Sequence, residues 1–420
     1  MKRCLLSDNY LKRINAIISF FLMLTAFTSR LSVSVKSVSL VTALLLIFLT
    51  MDYRRLLKTY QENSVARAAL LLYLCFLIGM IYSIAPTSEQ WHILKIYSPL
   101  LWIAPLIVFF QTAPKSWDIL SKISACFIYG AMLAALLGTL NAYHIVNVWE
   151  IFHPHTIQQD PAEYPFGTFS FSISFAAYLS AQKIRQANKT HYHYLVCFLF
   201  LSFFILFISH QRTAYILYAF LFLLFGYQKW HFKGVAAMLI TLALLGLSAY
   251  HYSTTFHYRV NTAIQGIEDY NDGNPISSPG LRLLFLKDSY HLWQQKPLLG
   301  YGTGSFKPIF LTLDTYNAMG QKNTAQAPLD QPHNDYAYIA VQLGLFGLLF
   351  FSYLLFCQLR FSFYLPPFEK HCAQALILGF ILSALDTTLL FYSTSATDFM
   401  LWSALLFANR PSSGNVSHET

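Results

Sequence analysis

The sequence has few charged residues for its length. Only 11% of its 420 residues are Asp, Glu, Lys or Arg, whereas 55% are hydrophobic and 17% are aromatic. A soluble domain usually carries about 25% charged residues, so roughly half of the usual charge is missing. That deficit excludes an ordinary water-soluble globular protein, and the long apolar runs between the charges indicate a chain that lies in lipid.

Motifs typical of metal-binding and disulfide-stabilised proteins are also missing. The sequence has no C-x-x-C, no H-E-x-x-H and no Asp-x-Asp pair, so it signals no metal site. None of its six cysteines lies in the long loop described below, which argues against a disulfide framework. The net charge of +9 does not form a basic stripe, because basic residues alternate with apolar runs, and we predict no nucleic-acid partner.

About twelve apolar segments are long enough, or nearly so, to cross a bilayer, which needs about 20 helical residues. No convincing cleavage site follows the first segment, so we interpret it as an uncleaved span. The pattern predicts an all-α integral membrane protein with about twelve transmembrane helices and a large, partly helical loop on the outer face. The predicted spans are 14–30, 37–51, 68–85, 94–112, 117–140, 166–182, 192–210, 212–228, 233–251, 334–357, 371–388 and 395–409.

The distribution of Lys and Arg predicts the orientation. Basic residues concentrate in alternate loops, such as 54–67 and 183–189, whereas the intervening segments 141–164 and 386–398 contain no Lys or Arg. Since basic loops stay on the cytoplasmic side, we expect both termini in the cytoplasm. Three residues oppose the trend: Arg30, Lys36 and Lys95.

One loop is much longer than the others. Residues 252–333 contain turn signals at 271–280 and then an apolar-patterned stretch at 281–293 that is typical of an amphipathic helix. Such a long loop is usually functional or disordered, and this pattern favours a folded, functional one. The glycines of Gly300–Gly304 lack dinucleotide-binding spacing and predict a tight turn. The predicted organisation is helices 1–9 in 1–251, the loop in 252–333, helices 10–12 in 334–410 and a cytoplasmic tail in 411–420.

Two arginines are candidates for binding an anion. Arg212 follows a tight turn between two spans, near the outer interface, where an arginine usually faces a cavity or a partner. The alternative is an interfacial arginine that snorkels toward water. Arg282 opens the amphipathic stretch, and its planar guanidinium suits phosphate, although it could be an ordinary solvated charge. Arg259 is a weaker candidate of the same kind.

A histidine stands where the long loop re-enters the membrane. His333 lies in the segment Pro332-His-Asn-Asp-Tyr336, and it could take a proton from a sugar hydroxyl. The alternative is a structural donor or cap at the helix start. Asn334 or Asp335 could serve as that cap. Lower-ranked site candidates are His210, Asn334 and Tyr336.

These features together resemble the O-antigen ligase family. The matching pieces are Ser209-His-Gln-Arg-Thr213, the stretch 282–306 with Pro297-Leu-Leu-Gly-Tyr-Gly302, and His333-Asn-Asp-Tyr336 followed by Gly344 and Gly347. The likeness in topology covers the whole chain, whereas the motifs lie within about 209–350. O-antigen polymerases and bacterial O-oligosaccharyltransferases share these motifs.

The resemblance implies a metal-independent glycosyltransferase without a cofactor, in the inner membrane of a Gram-negative bacterium. It would move a glycan from undecaprenyl diphosphate to a sugar of the lipid A core on the periplasmic side. Arg212 and Arg282 would neutralise the pyrophosphate leaving group, and His333 would act as the base. Direct displacement at the anomeric carbon would invert its configuration.

Two alternatives remain. The first is an O-antigen polymerase or a protein O-oligosaccharyltransferase, which would use related chemistry on another acceptor. The second is a transporter of lipid-linked sugars. Transporters tend to have inverted repeats and broken or charged helices near the membrane midplane, and the sequence shows neither, because its notable residues cluster at the predicted outer face.

Overall fold

The computed structural model describes residues 8–114, 118–146, 169–186, 192–275, 277–313 and 331–408. Within these ranges every regular element is helical, which confirms the all-α part of the predicted fold class. Six helices there are long and apolar enough to cross a membrane, or seven if one bent pair forms a single span. The predicted count of about twelve is therefore not confirmed by length and composition. The predicted tail, 411–420, lies outside the described residues.

The helices of the described residues are numbered in chain order. In chain order they are α1 Asp8–Thr28, α2 Val33–Thr50, α3 Tyr53–Glu62, α4 Ser64–Gly79, α5 Thr87–Tyr97, α6 Pro99–Thr112, α7 Ile119–Ala142, α8 Phe169–Gln186, α9 Tyr192–Phe203 with a π-helical turn at Phe204–Ile208, α10 Arg212–Tyr252, α11 Thr254–Asn271, α12 Ser278–Gln295, α13 Phe306–Phe310, α14 Asp335–Ser362, α15 Pro367–Ser383 and α16 Ser393–Leu406.

The long element α10 consists of two helices that fold back on each other. Trp230 and His231 leave the helical region, with φ/ψ of −135°/15° and 52°/−137°. A Cβ atom on Gly234 would lie only 2.0 Å from the carbonyl oxygen of Gly226. In a continuous helix these glycines would be about 12 Å apart along the axis. The segments 212–228 and 233–251 are therefore separate helices, as the hydrophobic pattern predicts.

The long loop is largely helical in its described part. The stretch 281–293, predicted to be an amphipathic helix, lies within α12, so its helical structure is confirmed. Ser277 caps α12 by accepting a hydrogen bond from the Gly280 N–H at 3.1 Å, and a proline follows in the first turn. α11 precedes it and packs against both α10 and α12, so the loop helices are attached to the bundle.

The glycine-rich turn of the loop is inserted at a break in α14. Gly344 has φ 62° and ψ −153°, which interrupts the helix, and Gly300, Gly302 and Gly304 all have positive φ. The break leaves backbone groups of α14 without helical hydrogen-bond partners, and backbone groups of the glycine-rich turn bond to them instead. The predicted tight turn is therefore present, and it joins the loop to the bundle. The four replacement bonds run from the N–H groups of Tyr301 and Gly302 to the carbonyls of Val341 and Gln342, at 3.0 and 2.8 Å, and from the N–H groups of Leu345 and Phe346 to the carbonyls of Pro297 and Leu298, at 2.8 and 3.3 Å.

Two basic residues that oppose the predicted orientation, Arg30 and Lys36, are buried inside the bundle at 3% and 1% exposure. Arg30 forms an ion pair with Asp398 in α16 at 2.8 Å. The same carboxylate accepts a hydrogen bond from Ser172 of α8 at 2.7 Å. These charges therefore belong to an interior network and are not loop charges, so they do not count in the positive-inside comparison.

Candidate functional site

Arg212 is held by the first helix of the long loop. It begins α10, and its Nε donates to the backbone carbonyl of Arg259 at 3.1 Å. Its Nη2 donates to the Thr262 hydroxyl at 2.8 Å. Both acceptors lie on α11. The guanidinium is therefore directed toward protein, and this favours the predicted role at a partner or cavity over snorkelling toward water.

Arg282 is paired with a carboxylate from the other end of the chain. Its Nη1 donates to Oδ1 of Asp386, which lies in the connection between α15 and α16. The hydroxyl of Thr213 donates to the second oxygen of that carboxylate. The side chains of the ion pair are 38% and 30% exposed, so the pair remains accessible to a ligand. Arg282 is thus not an isolated solvated charge.

Asp386 is the site residue that sequence reasoning missed. The segment 386–398 was notable only because it contains no Lys or Arg. The segment is predicted to lie on the same face as the loop arginines, and an acidic residue in it is the sequence signal that could have identified Asp386. Asp386 brings the second loop helix, α12, into contact with the start of α10 next to Arg212.

His333 lies beside this ion pair. Its backbone has φ 54°, a left-handed conformation that is uncommon outside glycine. Burial and, to a smaller extent, the charge of Arg282 lower the pKa of His333, the charge of Asp386 opposes them, and the resulting pKa is about 4. The imidazole is consequently neutral near pH 7 and can accept a proton.

The cap of α14 belongs to the next residue, and the alternative role for His333 as a cap is wrong. Asn334 has extended dihedrals, and its side-chain oxygen accepts a hydrogen bond from the Ala337 N–H at 2.8 Å. Asn334 also donates from Nδ2 to the Leu385 carbonyl at 2.9 Å, directly before Asp386. The cap prediction for Asn334 is confirmed.

Tyr336 and His210, the lower-ranked candidates, have different surroundings. The Tyr336 hydroxyl donates to the Ile381 carbonyl at 3.4 Å, and its ring lies 5.4 Å from that of Phe351. These contacts place Tyr336 in helix packing between α14 and α15. His210 is half-buried in the turn before α10, where its neighbour Gln211 is buried.

Several charged groups lie near Arg212. The charges of Arg259, Arg282 and Asp386 all act on the Arg212 guanidinium. Two of these three groups are guanidiniums and one is a carboxylate, while His333 is neutral. In the part of the chain that the structure describes, no group of three or more His, Cys, Asp or Glu could hold a metal ion. The cationic groups that an anionic ligand would meet here are the guanidiniums.

The long apolar helices indicate a multi-pass helical membrane protein, and Arg212, Arg282, Asp386 and His333 form its candidate site. A family model described as O-Antigen ligase matches residues 197–352. This segment contains Arg212, Arg259, Arg282 and His333. The match supports the O-antigen ligase family, so the family prediction is confirmed. The family implies glycosyl transfer of the ligase or polymerase type from lipid-linked glycans. A search of curated proteins gives no match.

Proposed function

We propose that this protein is an O-antigen ligase that transfers a glycan from undecaprenyl diphosphate to a sugar hydroxyl of the lipid A core. It works without a metal ion, and it inverts the anomeric carbon. The proposal places the protein in a bacterial inner membrane with about twelve spans, both termini in the cytoplasm and the site facing the periplasm. The observation that carries it is the neutral, half-buried His333 beside the ion pair of Arg282 and Asp386.

Arg212 and Arg282 bind the diphosphate of the donor. Cleavage of the bond between the anomeric carbon and the phosphate oxygen leaves the electron pair on undecaprenyl diphosphate. Guanidinium groups already in place stabilise that developing charge, and they act more strongly in a partly desolvated site. The two arginines occupy neighbouring positions because Asp386 binds Arg282 and Thr213 at the same time.

His333 accepts the proton of the acceptor hydroxyl while its oxygen attacks the anomeric carbon. A base must be unprotonated before it can accept a proton, and the lowered pKa of His333 keeps the imidazole neutral at the working pH. The imidazolium that forms is stabilised by the nearby negative charge of Asp386. Attack opposite to the leaving diphosphate inverts the configuration.

The family match includes polymerase-type chemistry, so an O-antigen polymerase is the first alternative and a protein O-oligosaccharyltransferase is related to it. Both would use the same arginines and histidine on another acceptor. A transporter of lipid-linked sugars is the second alternative. It is disfavoured because Arg212, Arg282 and His333 all lie at helix ends or in the long loop and not along the middle of helices.

The test is a lipopolysaccharide gel, together with analysis of carrier lipids, from a strain that lacks this gene. Bare core with long glycan stranded on undecaprenyl diphosphate would establish the ligase. Core carrying one repeat unit would identify a polymerase. An unchanged ladder would contradict both and favour protein glycosylation or transport. Complementation with the wild-type chain and with His333→Ala links the result to the site.

A further inference from the structure

Two adjacent residues at the start of α14 hold the turn that carries Asp386. The backbone N–H of Asp335 donates to the Ala384 carbonyl at 2.9 Å, and Nδ2 of Asn334 donates to the Leu385 carbonyl at 2.9 Å. Oδ2 of Asp335 accepts a hydrogen bond from the Leu389 N–H at 2.8 Å. Asp386 therefore lies between attachment points on both sides.

The same two residues follow His333 directly in the chain. His333 is therefore connected by covalent bonds to the residues that hold the Asp386 turn. Any shift of this turn relative to the start of α14 changes the distance between His333 and Asp386. It also moves the carboxylate that holds Arg282 and Thr213.

Asp335 acts on the site indirectly. Its side chain is completely buried, and its Oδ2 accepts a hydrogen bond from the Leu389 N–H at 2.8 Å. The carboxylate of Asp386 instead binds Arg282 and Thr213. Burying a carboxyl group is costly unless hydrogen-bond donors reach it, and the donor that reaches Oδ2, the Leu389 N–H, belongs to the irregular turn between α15 and α16.

We propose that Asp335 is a positioning residue for glycosyl transfer. Through its hydrogen bonds to Ala384 and Leu389, on either side of Asp386, it fixes Asp386 against Arg282 and beside His333. This inference rests on the proposed function, since it assigns Asp335 a role in that reaction. It also explains why the cap residue Asn334 is followed by a buried aspartate.

The experiment is a double-mutant cycle on the full-length protein in detergent or nanodiscs, with transfer of undecaprenyl-diphosphate-linked glycan to rough lipopolysaccharide as the assay. Asp335→Ala should lower kcat by about 100-fold, the order of loss that follows from a misplacement of about 1 Å. Asp335→Asn keeps an oxygen that can accept from Leu389 and should restore most of the rate. Asp386→Asn should lower kcat by itself.

The decisive result is non-additivity. If Asp335 acts through Asp386, the Asp335→Ala change should have little further effect in the Asp386→Asn background. Additive losses would overturn the proposal, because a residue that merely stabilises the fold lowers the rate equally in both backgrounds. If Asp335→Ala fails to give monodisperse protein, Asp335→Ser replaces it, since its hydroxyl is too short to reach Leu389.

The outcomes separate this inference from the proposed function. A wild-type protein that transfers glycan, together with an Asp335→Ala variant of equal rate, would overturn only the positioning role. A well-folded wild-type protein that transfers no glycan to any core acceptor would overturn both.

Discussion

Arg282 and Asp386 form an ion pair between positions 104 residues apart, joining the second helix of the long loop to the turn after α15. The other oxygen of Asp386 accepts from Thr213, the neighbour of Arg212. A single carboxylate thus organises both arginines that we assign to the diphosphate. The charge of Arg259 also acts on Arg212.

Replacement of His333 tests the base. His333→Ala and His333→Gln should each lower the rate of transfer by about 10²–10⁴-fold, the usual contribution of general base catalysis. Membrane insertion and the melting temperature should remain close to wild type. His291→Ala, which changes an exposed histidine on α12, is the matched control. Full activity of His333→Ala would refute the assignment.

The pH profile follows from the lowered pKa of His333. A base with a pKa of about 4 is unprotonated above that value, so the initial rate should stay constant from about pH 8 to about pH 5 and fall by half near pH 4. Since the charge of Asp386 raises this pKa, Asp386→Asn should move the acidic limb to lower pH. An acidic limb with its midpoint near 6.5, the value of a solvated histidine, would contradict the burial argument.

Substitution of the arginines tests the leaving-group site. Arg212→Lys and Arg282→Lys should both reduce transfer, because lysine keeps the charge but loses the planar set of donors that suits a diphosphate. The effect should be at least tenfold in kcat/KM, as expected for loss of about 1.4 kcal/mol of transition-state binding. Arg259→Lys should cost less, since Arg212 uses the backbone carbonyl of Arg259, which the change leaves in place. Equal losses at all three positions would indicate a general charge effect.

Gly344→Ala should destabilise the protein. A Cβ atom there would lie 2.3 Å from the Leu298 carbonyl oxygen, and φ is +62°, so the glycine-rich turn must separate from α14. A strained backbone position of this kind costs roughly 1–3 kcal/mol before any clash is added. The thermal midpoint in detergent should fall. Gly246→Ala is the control, because nothing lies within 4 Å of the position that its added methyl group would take, and its φ is ordinary.

Breaking the interior ion pair should also destabilise the bundle. Asp398→Asn leaves the buried guanidinium of Arg30 without its carboxylate, a change that typically costs about 3–5 kcal/mol. The combined substitution Arg30→Met with Asp398→Leu removes both charges and should recover much of the loss. Thermal melting of the three proteins measures this. A single Asp398→Asn variant that melts like wild type would argue that Arg30 does not depend on this pair.

Local patterns in the sequence predicted several features that the structure contains. Hydrophobic periodicity indicated the helical class, and the reversal near Trp230 followed from a basic segment between two apolar runs. The glycines at 300–304 indicated a tight turn because positive φ is a local property of the residue. Arg212, Arg282 and His333 were recognisable because charged and polar side chains next to apolar runs cost free energy, and residues kept there are usually functional.

The sequence by itself determined the fold class, the family and three of the residues that meet at the site, since composition, periodicity and motifs are encoded over short stretches. Only the tertiary structure decided that Asp386 joins Arg282 to Thr213 and that Asp335 holds its turn. It also decided that Arg30 is an interior charge paired with Asp398. These contacts connect residues far apart in the chain, and the packing of helices that brings them together leaves no periodic pattern in the sequence.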